Sequence, residues 1–226
     1  MVDYQIRPIA DTGILVEFGD VIDDDIHQSV LNFDDNVLQS QMKGFVEAIP
    51  AYASVYIGYD PLVTDYVSVC EHIKPLIGKQ GLAKDKAQHW QIPSCYEGQF
   101  APDLSEVAQT LNMSEDDVIK HHTSGQYKVY MYGFAPGYAY LGGVPEALQI
   151  PRKQAPQMNI PKGAVMIAGP QSLITTVVMP TGWWVIGRTA KTPLQTGSEK
   201  PFLFNIGDSV EFFQLSEADF LRQSRL

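Results

Sequence analysis

Three cationic side chains in the second half of the chain have the chemistry needed to recognise an anion. Arg152 and Arg188 can each hold a carboxylate or a phosphate through paired N–H donors, and Lys162 can add a mobile point charge. Such groups stabilise negative charge that develops during a reaction, and we expect them to converge in one cavity of the second half of the chain. The alternative is that all three form ordinary surface or interface salt bridges, which usually contribute little.

Two further side-chain types are candidates for a reaction site. His122 can carry a proton because the ordinary pKa of histidine is about 6.5, and His121 lies beside it. A helix C-terminus also favours histidine, so a structural role remains open. Gln171 can hydrogen-bond a substrate, and Trp183 can form a pocket wall, although core packing suits at least one of Trp183 and Trp184.

A glycine-rich, aromatic segment precedes these cations at residues 133–143. It contains four glycines, one proline and three aromatic residues within eleven positions, a composition that predicts neither a helix nor an ordinary strand. Glycine allows close backbone approach and aromatic rings supply apolar walls, so the segment is predicted to be a binding loop in which Pro136 and Gly137 contact substrate. A compact surface loop with internal aromatic packing is the alternative.

Several familiar catalytic patterns are missing from the sequence. It contains no phosphate-binding P-loop, no Gly-x-Gly-x-x-Gly run, no Gly-x-Ser-x-Gly elbow and no Cys/His spacing typical of a metal site. Cys95 is expected to be a buried, inert thiol. No metal is therefore predicted.

Composition and charge restrict the class of protein. The 226 residues include 16 Lys plus Arg against 26 Asp plus Glu, and a net charge of −10 argues against binding to nucleic acid or anionic membrane. Two cysteines and an opening without a leader-like pattern predict a cytoplasmic location. No apolar run approaches the roughly 18 residues of a membrane-spanning helix.

The hydrophobic pattern predicts two domains of an α+β, β-rich protein. Residues 1–89 suggest a ferredoxin-like unit: a hairpin of strands 5–10 and 14–18, helical spacing between residues 22 and 46, a strand at 53–59 and a helix before Pro75. A polar linker is expected at residues 78–88.

Residues 90–226 are predicted to form a β-barrel domain. Asp103 with Glu106, and Ser114 with Asp117, are spaced like capping boxes that open two short helices. Acidic residues in the second helix argue against a DNA-reading pair. From residue 126 onward, short β-prone runs separated by Gly and Pro favour a closed or nearly closed sheet.

The order of several motifs in this second domain resembles the allophanate hydrolase subunit 1 family. After the loop at 133–143 come IPR at 150–152, IPKGA at 160–164, AGPQ at 168–171 and PTGWWVIGRT at 180–189. The resemblance covers the whole second domain and matches the first more loosely. It implies a ferredoxin-like domain followed by a cyclophilin-like β-barrel.

The same resemblance implies a function and partners. The family includes the 5-oxoprolinase B subunit, which implies ATP-dependent opening of 5-oxo-L-proline to L-glutamate together with partner subunits of types C and A. ATP with Mg²⁺ would then be bound in the complex, without a tightly held cofactor in this chain. The family also includes KipI-type inhibitors of a histidine kinase, so a regulatory binding protein is the alternative, and prolyl isomerase activity rests on fold analogy alone.

The sequence departs from the family pattern at four places. Gln157 stands where a second Pro-Arg arginine is expected, Ala164 replaces a serine, residues 170–173 replace a Gly-Gln-Thr-Gly-like stretch, and Thr181 replaces a glycine. These changes remove a cation, a hydroxyl and some backbone freedom, so a modified substrate pocket is expected.

Overall fold

The computed structural model describes residues 3–81 and 87–224, which divide into two compact units, residues 1–85 and 86–226. Each unit has its own apolar core. The linker predicted at 78–88 falls partly on residues 82–86, which lie outside the described residues. Among the described residues, no helix is both long and apolar enough to cross a membrane.

The first unit is a four-stranded antiparallel sheet with two helices. Its elements are β1 (Gln5–Ile9), β2 (Gly13–Glu17), α1 (Asp24–Gln39), β3 (Phe45–Pro50), β4 (Ser54–Tyr59) and α2 (Tyr66–Ile73). The sheet order is β1-β2-β4-β3. Strands β2 and β3 therefore flank β4 and are joined through α1, the split βαβ arrangement of ferredoxin-like folds. The ferredoxin-like prediction is confirmed.

Local sequence explains where these elements begin. Asp23 accepts hydrogen bonds from the N–H groups of Asp25 and Ile26, and Asp65 accepts one from Ser68, so each helix has a side-chain N-cap. Both helices and the central strands then contribute to one core. That core includes Ile14, Val16, Val30, Phe33, Val37, Val55, Ile57, Val69 and Ile73.

The helical spacing predicted as far as residue 46 is wrong beyond residue 40. α1 ends at its C-cap Ser40, and left-handed backbone at Gln41 (φ 50°) and Gly44 (φ 72°) turns the chain into β3. Phe45 and Val46 are therefore strand residues. Short apolar runs fit helical and strand periods alike, which is why spacing alone missed β3.

The second unit is built on a closed seven-stranded barrel, which confirms the predicted β-barrel. Its strands are β5 (His89–Cys95), β6 (Tyr127–Tyr132), β7 (Ala139–Gly142), β9 (Ala164–Ala168), β10 (Gln171–Ile174), β12 (Trp184–Arg188) and β13 (Ser209–Leu215), while β8 (Gln157–Ile160) and β11 (Met179–Thr181) form a separate ribbon. The barrel order is β10-β7-β6-β13-β5-β12-β9. Strands β13 and β5 pair in parallel, and the other barrel pairings are antiparallel.

Alternate residues of β9, β10 and β12 enter two different apolar clusters, so both faces of this part of the sheet are buried. We call one side the Ile167 face. It carries Val165, Ile167, Ile174, Trp184 and Ile186 and shares its cluster with side chains of α3 (Leu104–Thr110) and α4 (Glu115–Ser124). We call the other side the Met166 face. It carries Ala164, Met166, Ala168, Leu173 and Val185.

Only one of the two predicted capping boxes exists. At α4, Ser114 accepts a hydrogen bond from the Asp117 N–H at 3.1 Å, and Asp117 accepts from the Ser114 N–H at 3.4 Å. The box predicted at Asp103 is wrong, because its side chain makes no capping hydrogen bond to α3. Its carboxylate is instead bound by groups outside that helix.

The glycine-rich segment also differs from prediction. Residues 139–142 form β7, so the expectation that the segment contains no ordinary strand is wrong. Residues 133–138 do form a tight loop, in which Phe134 (φ 68°) and Gly137 (φ 69°) both adopt left-handed backbone. The Gly133 N–H donates to the Tyr138 carbonyl at 3.2 Å and closes the loop.

Candidate functional site

Four aromatic side chains, from the glycine loop, β7 and the residue that precedes β12, form a continuous row that ends at an arginine. Ring centroids lie 5.6 Å apart for Phe134 and Tyr138, 5.8 Å for Tyr138 and Tyr140, and 6.0 Å for Tyr140 and Trp183. The Arg152 guanidinium lies 5.5 Å from the Trp183 ring centroid. We call this set the aromatic row. It unites two predicted site residues, Arg152 and Trp183, through cation–π contact.

The tyrosines of the aromatic row have shifted pKa values. Burial raises the pKa of Tyr138 above its ordinary value, and the neighbouring Tyr140 raises it further, whereas the positive charge of Arg152 opposes the shift. Burial also raises the pKa of Tyr140, again opposed by Arg152. Both phenols therefore stay protonated near neutral pH, which suits them to hydrogen bonding rather than to proton abstraction.

A bulge in β12 determines which face Arg188 occupies. Val185 lies opposite Met166 and Arg188 lies opposite Ala164, so β12 uses three steps where β9 uses two. The additional residue reverses the alternation, because directly opposed residues of antiparallel strands share a face. Arg188 is thereby directed to the Met166 face. Regular alternation would have put it on the Ile167 face, with Ile186.

Arg188 is held next to a second predicted cation. Its Nε donates a hydrogen bond to the Lys162 carbonyl at 3.3 Å, and the side chain is half-buried. The adjoining turn requires glycine, since Gly163 has φ 82° and a Cβ there would lie 2.4 Å from the Thr189 carbonyl oxygen. Lys162 and Arg188 therefore lie at the same end of the barrel.

An ion pair that the sequence did not reveal supports the bulge. The Asp103 carboxylate accepts hydrogen bonds from the Val185 N–H at 2.6 Å and from Lys153 Nζ at 2.6 Å, and the Asp103 N–H donates to the Val185 carbonyl at 3.0 Å. Lys153 Nζ also donates to Gln157 at 2.8 Å and lies 5.1 Å from the Trp184 ring centroid. The Asp103–Lys153 pair thus fixes the residue at which β12 departs from regular pairing.

Signals for these two residues were present in the sequence. Lys153 directly follows the family-like Ile-Pro-Arg motif, and Asp103 is an acidic residue before a helix. The spacing of Asp103 and Glu106 suggested a cap, because one-dimensional spacing does not show where a carboxylate points. Gln157, a departure from the family pattern, takes part in the same network as a hydrogen-bond acceptor.

The structure brings a third predicted residue to the Met166 face. Gln171 begins β10 opposite Ala168 and Gly142, and alternation along β10 places it on the same side as Leu173. Gln171, Trp183 and Arg188 therefore share one face of the sheet. This arrangement follows from strand register and was not evident from sequence spacing.

Arg152 and Arg188 are anchored at different places on this face. Arg152 packs on Trp183, which precedes β12, whereas Arg188 ends β12. Five residue steps separate these anchors, one of them taken up by the bulge, so the span along the sheet is about 13 Å at 3.3 Å per residue. The cations thus form two groups, Arg152 with the aromatic row and Arg188 with Lys162, and their convergence on one anion stays a prediction.

The remaining loop residues lie against a cleft. Pro136 is exposed, whereas Gly137 is buried, and a Cβ on Gly137 would lie 3.2 Å from Leu194 and 3.3 Å from Phe202. Leu194 and Phe202 form an isolated antiparallel bridge at the base of a loop. Phe202 also lines a cleft of about 620 Å³. None of Arg152, Lys162 and Arg188 lines it.

His122 occupies a different environment from the arginines. It is fully buried in α4, with its ring centroid 4.6 Å from that of Phe212 and 5.3 Å from that of Tyr127. Its Nδ1 is 2.9 Å from the Tyr96 hydroxyl, and within the described residues Nε2 has no hydrogen-bond partner. This geometry gives His122 a place in the core and no contact with the cations, so its catalytic role stays a prediction.

The environment of His122 leads to a pH-dependent stability. Burial lowers its pKa to about 3, so between pH 6.5 and 3 the unfolded chain binds a proton that the folded chain does not. Stability should therefore decrease as pH falls through this window, by up to about 1.4 kcal/mol per pH unit from this group. His122→Gln is expected to flatten the dependence of the free energy of unfolding on pH. Urea unfolding at several pH values between 6.5 and 4 measures this dependence.

The control for this prediction is the adjacent histidine. His121 is half-exposed, and His121→Gln keeps His122, so this variant should retain the loss of unfolding free energy that His122 causes as pH falls. Equal slopes in the two variants would show that His122 is not the group responsible.

Comparison with known proteins identifies the family. Residues 4–204 match the model of the carboxyltransferase domain, subdomains C and D. The chain belongs to this carboxyltransferase family. The match includes the aromatic row, both arginines and the Asp103–Lys153 pair.

Curated relatives and solved structures agree with this membership. The 5-oxoprolinase B subunit of Bacillus subtilis is 34% identical over 232 residues, covering 97% of this chain and 96% of the relative. TTHA0988 superposes with a TM-score of 0.80 at 30% identity over 94% of this chain, which spans 40% of that protein's length. The Kluyveromyces lactis urea carboxylase shares the fold, with a TM-score of 0.82 at 19% identity over 97% of this chain and 22% of that protein.

Metal ligands are not clustered in the described part of this carboxyltransferase-family chain. Residues 3–81 and 87–224 contain no group of three or more His, Cys, Asp or Glu side chains arranged to hold a metal ion. Both cysteines are free and buried. The Met166 face carries guanidinium, phenol and carboxamide groups.

Proposed function

We propose that this chain is the B subunit of an ATP-dependent 5-oxoprolinase, in which it takes part in opening 5-oxo-L-proline to L-glutamate. The observation that carries the proposal is the 34% identity to a protein named as a 5-oxoprolinase B subunit, which extends across almost the full length of both chains. Cationic groups on the Met166 face and aromatic groups beside them add chemical support.

The reaction needs groups that stabilise negative charge. A lactam is a poor electrophile, and transfer of a phosphoryl group from ATP to its oxygen would make the ring carbon open to attack by water. Arg188 would hold an anionic oxygen of the substrate or phosphate through paired donors, with Lys162 adding positive charge at the same end of the barrel. The ring C–N bond then breaks, the nitrogen takes up a proton, and a second water cleaves the resulting acyl phosphate to give the carboxylate and inorganic phosphate.

Arg152 would recognise a second anionic or planar group. Its guanidinium is positioned by the cation–π contact with Trp183, and the phenols of Tyr138 and Tyr140 lie next along the aromatic row as hydrogen-bond donors. Gln171 on the same face would pair with the amide of the lactam through its carboxamide. This assignment gives each predicted substrate-binding side chain of the Met166 face a separate role.

The proposal includes partners. We propose that the site is completed by a C subunit, that the assembly also includes an A subunit, that ATP binds with Mg²⁺ in the complex, and that the complex is cytoplasmic. The B-subunit designation in the names of the relatives supports a multi-subunit enzyme. Phe134, at the outer end of the aromatic row, is 76% exposed and would be covered by a partner chain.

A reconstitution assay tests the function. The purified chain is mixed with its cognate A and C subunits, 5-oxo-L-proline and ATP, and glutamate and ADP are measured. Both products should appear in equal amounts, and omission of this chain should abolish glutamate release. Phosphate release that does not depend on 5-oxoproline, allophanate or urea would contradict the enzyme function and favour the histidine-kinase regulator instead.

A further inference from the structure

The cleft of about 620 Å³ in the second unit has features of a built ligand site. Four aromatic side chains line it: Trp90, Tyr132, Phe202 and Phe204. Trp90 packs edge-to-face on Phe204 with centroids 5.9 Å apart, and Tyr132 packs on Phe202 at 5.1 Å. The volume lies within the roughly 300–1,000 Å³ typical of small-molecule sites, and it is large for a single five-membered lactam.

A buried carboxylate holds one wall of the cleft in place. Asp208 is 2% exposed and accepts hydrogen bonds from the Trp90 indole N–H, the Asn205 N–H and the Gln88 N–H, each at 2.8 Å. On the other side, the Tyr132 hydroxyl donates to the Phe204 carbonyl at 2.5 Å. Five lining residues, Gln88, Trp90, Tyr132, Phe204 and Asn205, are therefore held by these hydrogen bonds before a ligand arrives, which reduces the entropic cost of binding.

The polar groups of the cleft are mostly uncharged. Gln88, Gln195, Ser198 and Asn205 supply carboxamide and hydroxyl groups, which can both donate and accept hydrogen bonds. The two charged lining residues, Glu199 and Lys200, are neighbours of opposite sign. No net positive charge is therefore concentrated among the described lining residues, so the cleft suits a neutral ring with polar edges better than a polyanion.

We propose that this cleft binds the heteroaromatic base of a purine nucleotide, with the base stacked on the ring of Phe202 and its edge read by the carboxamides. This assignment rests on the proposed ATP-dependent function and specifies where its nucleotide base is held. The phosphates extend out of the cleft past Lys200, the cation on the exposed loop. Stacking of bases on aromatic side chains is a common and sequence-tolerant source of binding energy.

The cleft is in contact with the glycine loop. Phe202 and Leu194 form the base of the loop that borders the cleft, and the same two side chains pack where a Cβ of Gly137 would lie. A base stacked on Phe202 therefore rests on the side chain that packs beside the loop carrying the aromatic row. Nucleotide binding and substrate binding then involve adjoining parts of the second unit.

Calorimetric titration of the 226-residue chain tests this site with defined probes. Adenosine and ATP should bind with saturation at one site, whereas tripolyphosphate and 5-oxo-L-proline should not compete for it. Phe202→Ala should weaken adenosine binding about tenfold, as expected for loss of one stacking surface. Lys200→Ala should weaken ATP binding while leaving adenosine binding unchanged.

Phe213 provides a matched control. It is 38% exposed against 40% for Phe202 and does not line the cleft, so Phe213→Ala should bind adenosine as the unchanged chain does. Absence of adenosine binding, or equal binding by both phenylalanine variants, would overturn the nucleotide site. Unchanged lactam-dependent turnover in Phe202→Ala would also overturn the nucleotide site, while leaving the oxoprolinase function intact. Conversely, adenosine binding without turnover in the reconstituted complex would contradict only the oxoprolinase function.

Discussion

Arg188→Ala is expected to lower kcat/KM for 5-oxo-L-proline at least about 100-fold in the reconstituted complex, the scale seen when one preorganised donor to developing charge is removed. The reason is geometric: the bulge in β12 directs this guanidinium to the Met166 face, where it lies beside Lys162. The measurement is glutamate release at varied substrate concentration, with kcat and KM separated.

The same substitution should have little effect on folding. Arg188 is half-buried, and the hydrogen bond from its Nε to the Lys162 carbonyl is long at 3.3 Å. The thermal midpoint should therefore change little. Arg188→Lys keeps the charge but loses the paired donors, so it should recover only part of the activity. Arg222→Ala, at an exposed arginine of the C-terminal helix α5 (Glu217–Gln223), is the matched control and should retain full turnover.

Undiminished activity in Arg188→Ala would remove Arg188 from the site. If the thermal midpoint fell far enough to unfold the protein at the assay temperature, the loss of activity would show a structural role of the arginine instead. A rise in KM with unchanged kcat would assign it to ground-state substrate binding rather than to the transition state.

The parts of the fold that the sequence predicted are those fixed by local signals. The first hairpin was predictable because Asp11-Thr12-Gly13 favours a turn, and the helix at Ser114 because its capping box is a contact between near neighbours in sequence. β3 was missed because Phe45 and Val46 continue a helical spacing across the turn at Gly44. The physical difference lies in the backbone conformation of the turn, which apolar periodicity does not report.

The candidate site was predicted by residue type but not by arrangement. The pairing of Arg152 with Trp183 joins two motifs about thirty residues apart, and the common face of Gln171 and Arg188 depends on strand register and on one additional residue in β12. Neither property is encoded in the spacing of a single motif. His122 shows the converse case, since the chemistry of its side chain suggested catalysis while burial among aromatic rings decided its environment.

Asp103→Asn is expected to lower the free energy of unfolding of the second unit by about 3–5 kcal/mol, the range for breaking a buried ion pair on one side. Lys153 would be left as a nearly buried charge, at 13% side-chain exposure, and Asp103 itself is 8% exposed. Urea unfolding followed by tryptophan fluorescence measures this unit, because Trp90, Trp183 and Trp184 all lie in it.

A paired substitution separates the charge effect from the loss of packing. Asp103→Asn combined with Lys153→Met removes both charges, and replacing a buried pair by uncharged groups is often close to neutral, so much of the lost stability should return. Activity should return only in part, because the amide oxygen of the substituted side chain accepts the Val185 N–H less strongly than the carboxylate that fixes the β12 bulge. If the double variant regained both stability and full turnover, the Asp103–Lys153 pair would have no role in directing Arg188.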